Sequence, residues 1–78
     1  MTDPIVVNAL WDADSKVWVA GSDDVPGLAT GADTLEELIE KLKTIIPELL
    51  TENGIPFEAE RLAFKVEAER SEFANVAA

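Results

Sequence analysis

Two short runs dense in β-branched and apolar residues, PIVVNALW from Pro4 to Trp11 and KVWVAGS from Lys16 to Ser22, are separated by DADS, which is turn chemistry. The pattern predicts an antiparallel β-hairpin. With Trp11 set opposite Val17, one face carries Ile5, Val7, Ala9, Trp11, Val17 and Val19, and the other Val6, Leu10, Trp18 and Ala20. A sheet with one solvated face should show polar residues at every second position, and neither face does. Something is therefore expected to cover the second face. Core packing is the plain reading of both tryptophans. This pairing nevertheless puts them on opposite faces, and one helix covers only one of these. Trp18 is thereby a candidate interface anchor.

Val25-Pro26-Gly27-Leu28 fits a type II turn, with proline second and a glycine of positive φ third. A short strand over Leu28–Thr30 should follow. Gly31-Ala32-Asp33-Thr34 then leads into a helix with two possible N-caps, Asp33 backed by Glu36 or Thr34 backed by Glu37. Leu35, Leu38, Ile39, Leu42, Ile45, Ile46, Leu49 and Leu50 hold the i, i+3, i+4 pattern of a one-sided helix, with Glu37 and Lys41 paired on the solvent side. Pro47 predicts a kink, or a break at which it opens a short second helix. Asn53-Gly54 and then Pro56 mark the stop. Finally RLAFKVEAE, residues 61–69, alternates Leu62, Phe64, Val66 and Ala68 inward with Ala63, Lys65, Glu67 and Glu69 outward. The order β-β-β-α-β predicts a small α+β fold, an antiparallel sheet with one helix on one face. It forms a single domain over 1–78, with a core at 1–70 and a tail at 71–78.

Size and composition change this picture in two ways. A chain of 78 residues buries only about 60% of its unfolded surface, so a thin core is expected and self-association would help it. Sixteen acids against six bases give a net charge of −10. Nine of those acids and only one base fall within residues 1–40. Such a field repels phosphate backbones and anionic lipid, which disfavours direct nucleic-acid or membrane binding, and it would steer in a basic protein. Acidity that merely keeps a small protein soluble is the plain alternative. No cysteine, basic leader or long apolar run is present, so a cytoplasmic location is expected.

Candidate chemistry is sparse. Without histidine or cysteine, the common general base, thiol nucleophile and zinc ligands are missing. Asp12 and Asp14 sit at one end of the second strand and Asp23 and Asp24 at the other, too far apart to share a magnesium ion. DADSK lacks the glycine and the bidentate glutamate of a calcium loop. GLATG is followed by Asp33, Glu36 and Glu37 where a phosphate would have to sit. The expectation is a protein that is not an enzyme and uses no cofactor or metal.

The run WDADSKVWVA followed by SDDVPGLATGADTLEEL, Trp11 to Leu38, resembles the HicB-like antitoxin family. It is most similar to short members in which a tryptophan-bearing second strand precedes S-D-D-x-P-G-L. The resemblance implies a partial ribonuclease-H-like domain that works by binding. In the two-component HicA–HicB systems this domain masks a small basic RNA-cleaving toxin, while a separate segment binds operator DNA. Only SEFANVAA follows the last strand, so operator binding is not expected. The expected partner is a basic protein such as a toxin ribonuclease, met by Asp12, Asp14, Trp18, Asp23, Asp24 and Asp33. The alternative is a solitary HicB-like homodimer or higher oligomer with no toxin partner.

Overall fold

The computed structural model describes residues 4–58, 60 and 62–76. Strands β1 (Ile5–Asp12), β2 (Val17–Gly21) and β3 (Thr30–Ala32) are followed by helix α1 (Leu35–Glu52) and strand β4 (Phe64–Glu69). The sheet order is β3-β2-β1-β4, with one helix on one face. The α+β architecture and its element order are therefore those the sequence predicts. Met1–Asp3, Ala59, Arg61 and the tail residues Ala77 and Ala78 lie outside the described residues.

The sheet is mixed and not wholly antiparallel. β1 pairs antiparallel with β2, and β2 with β3, but β4 runs parallel to β1, with Ile5 beside Phe64 and Leu10 beside Glu69. The reason is a count of reversals. Two turns bring β3 back to the direction of β1, and α1 then carries the chain to the starting end, so β4 must rise alongside β1. A helical crossover is what a parallel neighbour requires.

The hairpin register differs by one residue from the predicted pairing. Trp11 stands opposite Trp18, and Asp12 opposite Val17. The loop has four residues, Ala13 to Lys16, where the predicted pairing needs five. The Asp12 carboxylate accepts from the amides of Asp14 (3.1 Å) and Ser15 (3.3 Å), the Asp12 carbonyl accepts from Lys16 N (2.7 Å), and Lys16 takes the left-handed conformation at φ 58°. A slip of one residue moves a strand's side chains to the other face. Both tryptophans accordingly lie on the helix side, their rings 5.4 Å apart and inclined at 62°. Edge-on ring pairs of this kind add about 0.5–1.5 kcal/mol to the burial itself.

The core gathers Val7, Ala9, Trp18, Ala20, Val25, Leu28 and Ala32 beneath Leu38, Leu42, Ile46 and Leu50 of α1. Each aliphatic side chain buried in full contributes about 1.5–3 kcal/mol over its exposed state. Thr34 caps the helix, its Oγ1 accepting from Glu37 N at 3.1 Å, which decides between the two candidates. Pro47 lies within one continuous helix, so no second helix opens there. At the C-terminus, Ile55 N donates to Leu50 O (2.9 Å) and Gly54 N to Thr51 O (3.1 Å), with Gly54 at φ 68°. This is a complete Schellman termination. Lys41 donates to Gly31 O (2.6 Å), tying α1 to β3, where the sequence suggested a pair with Glu37.

The type II turn forms as predicted. Leu28 N donates to Val25 O (3.2 Å), and Gly27, at φ 81°, holds the position that a side chain would strain. Leu28 is spent on closing this turn and filling the core, so the third strand starts at Thr30 and not at Leu28.

Candidate protein-binding surfaces

The predicted site residues divide into two groups at opposite ends of the sheet. Asp12 and Asp14 belong to the β1–β2 loop, and Asp33 follows the end of β3, whose Ala32 is level with Trp18. Glu36 and Glu37 in the first turn of α1 add to this end. All five positions are acidic because turns and helix N-termini favour such residues: Asp12 closes its own loop, and the glutamates oppose the positive end of the helix dipole. Asp14 and Asp33 are exposed.

Asp23 and Asp24 lie at the other end, past Gly21. Asp24 has a folding role that the sequence did not disclose. Its Oδ2 accepts from Val6 N (2.9 Å), while Ser22 Oγ donates to Val6 O (2.5 Å) and accepts from Asp24 N (3.1 Å). The ladder between β1 and β2 ends at Asn8–Gly21. Beyond it, two side chains thus supply the hydrogen bonds that a longer β2 would have given Val6. Asp23 is exposed, and among the described residues its carboxylate makes no hydrogen bond.

Trp18 is only 9% exposed and lies in the core. Its predicted role as an anchor on the second face came from the slipped register, and a ring packed under a helix meets no partner. The corrected register instead brings Leu10 and Val19 together as direct cross-strand neighbours on the face away from the helix. They are 55% and 41% exposed. Half-buried Val17 lies two positions along β2, and Gly31 of β3 stands beside Val19. A Cβ at Gly31 would come within 3.0 Å of Trp18 O and 3.9 Å of Val17 Cγ2, so this corner of the patch is kept flat. Only the length of the β1–β2 loop would have found this pair, and no residue type in DADSK marks that length.

Two further features complete the surface. Arg70, just past β4, places its guanidinium carbon 3.9 Å from the centroid of half-buried Trp11 and pairs with Glu72. A shallow groove of ≈ 170 Å³ opens between Leu42, Lys43, Ile46 and Pro47 on the helix and Leu62 and Phe64 below. It is smaller than the roughly 300–1,000 Å³ usual for small-molecule sites, and among the described residues Lys43 is the one charged group that lines it. Among the described residues no group of three carboxylates could hold a metal ion, and no polar or charged residue is buried. No helix among them is long and apolar enough to cross a membrane.

Comparison with known proteins gives a consistent placement. No curated protein matches the chain. The crystal structure of hypothetical protein TTHA1013 from the extremely thermophilic bacterium Thermus thermophilus is similar to it at 49% sequence identity, with a TM-score of 0.71 over 95% of this chain and 100% of that one. The family described as "Domain of unknown function (DUF1902)" matches residues 4–78. With nearly its whole length matched, and a solved relative of the same size and fold, the chain belongs to the DUF1902 family.

Proposed function

We propose that the chain is a non-catalytic, antitoxin-like module that masks a small basic protein, a toxin ribonuclease of the HicA type. The observation that carries this reading is the acidic end of the sheet, where Asp12, Asp14 and Asp33 are joined by Glu36 and Glu37 in a protein of net charge −10. Such a field raises the association rate with a cationic partner and discriminates against acidic ones. The motif resemblance between Trp11 and Leu38 supports the same partner class. Asp24 contributes less to this role than its sequence suggests, because its carboxylate already holds Val6.

The test is to look beside the gene for a reading frame encoding a small basic protein, whose absence overturns the reading, and to mix that protein with the purified chain and follow RNA cleavage. Cleavage should be suppressed, and Asp12→Asn/Asp14→Asn/Asp33→Asn should weaken binding at least tenfold and flatten its salt dependence. Cleavage that continues at saturating chain, or a variant that binds unchanged, overturns the reading. A second reading, a solitary homo-oligomer, is favoured by a different observation: the Leu10–Val19 patch faces solvent on a sheet whose other face is covered.

A further inference from the structure

Past β4 the chain continues as an extended segment, residues 70–76, that touches the body through Arg70 and then leaves it. Phe73 and Val76 are 101% and 91% exposed. The Cα radius of gyration is 14.9 Å, against about 11.5 Å for a compact domain of this length, and the molecule extends 57 Å along its longest axis. The family match runs through this segment to residue 78, so the arm is part of the domain. One chain thus carries two unpartnered apolar surfaces, the arm and the Leu10–Val19 patch.

We propose that residues 70–76 of one chain cover the Leu10–Val19 patch of a second copy, each chain giving its arm to the other. Arg70 stacks on Trp11 on the helix side, and every residue of the arm beyond it is exposed, so the arm does not cover its own patch. Seven extended residues reach roughly 23 Å, enough to cross a four-stranded sheet about 15 Å wide. Charge along the arm does not bar a second copy: Arg70 and Glu72 neutralise each other, and Ser71, Phe73, Ala74, Asn75 and Val76 carry no charge, so the arm approaches an acidic body without opposing it. Gly31 leaves the sheet flat beside Val19, room for an aromatic ring to lie against the strands. Reciprocal exchange closes under two-fold symmetry and leaves no surplus arm.

This inference rests on the self-association reading and is independent of any toxin. The chain has no cysteine, so single-cysteine variants report unambiguously. Leu10→Cys and Phe73→Cys proteins, mixed and oxidised, should give mainly the 10–73 heterodisulfide. In sedimentation equilibrium, Phe73→Ser should raise the dimer dissociation constant at least tenfold while its far-ultraviolet circular dichroism stays that of the parent. Dimers that cross-link only as 10–10 or 73–73 overturn the arm exchange and leave self-association standing. A Leu10→Cys/Phe73→Cys chain that closes its own disulfide as a monomer also overturns it. A parent chain that sediments as a monomer overturns both.

Discussion

Both faces of the β1–β2 hairpin carry apolar residues along the sequence, and their fates are opposite. On the helix side, Val7, Ala9, Trp18 and Ala20 are buried beneath Leu38, Leu42, Ile46 and Leu50. On the other side, Leu10 and Val19 meet across the strands and remain half exposed. Hydrophobicity alone does not say which face becomes core. That is set by register, and register here is set by a four-residue loop closed by Asp12. A thin domain can carry a second apolar face provided its first is sealed.

The sharpest way to break this comparison is to truncate one residue on each side. Leu42→Ala should lower unfolding free energy by about 2–5 kcal/mol, because it removes buried methyl groups and leaves a cavity. Val19→Ala in the same urea titration of dilute chain should stay within about 0.5 kcal/mol. Equal losses would mean that the outer face is as buried in solution as the inner one. Next comes Gly31→Ala, an outer-face change that should nonetheless cost about 1–3 kcal/mol, since its Cβ meets the rigid Trp18 carbonyl and not a side chain that can turn away.

A smaller effect distinguishes the acidic pair. Asp24→Ala should cost about 1 kcal/mol by leaving Val6 N without its acceptor, whereas Asp23→Ala should fall within about 0.5 kcal/mol. Equal values for the two would remove the claim that Asp24 clips β1 in place. The smallest change should be a gain. Lys16→Asn replaces a residue held at φ 58° with one that tolerates the left-handed region, and thermal unfolding should shift upward by the equivalent of about 0.5–1 kcal/mol.

Much of the architecture was legible because several local signals agreed. The helix announced itself by periodicity, a Thr34 cap and an Asn53-Gly54 stop, and the Pro26-Gly27 turn by the one residue pair that suits it. What was hidden depended on non-local or degenerate choices. β1 offers one polar mark, Asn8 between Val6 and Leu10, but β2 reads Val17-Trp18-Val19-Ala20 with no polar residue on either face, so nothing fixed its register. Lys16 is not a residue type that signals a left-handed loop position, so the loop length could not be read. Asp24 looked like surface chemistry because its partner, the Val6 amide, is eighteen positions away. Of the candidate site, the acidic loop end at Asp12, Asp14 and Asp33 follows from turn and cap preferences, while the Leu10–Val19 patch becomes visible only once the strands are correctly paired.

Trp11 and Trp18 are the chain's two tryptophans, and tyrosine is absent. Their edge-on contact across the hairpin makes the pair an optical element. Two indoles at 5.4 Å couple their electronic transitions, so the folded chain should show an exciton couplet in its circular dichroism that collapses in either single Trp→Phe variant. Because only the observed register places the rings opposite one another, that signal reads strand alignment directly, in solution and without a label.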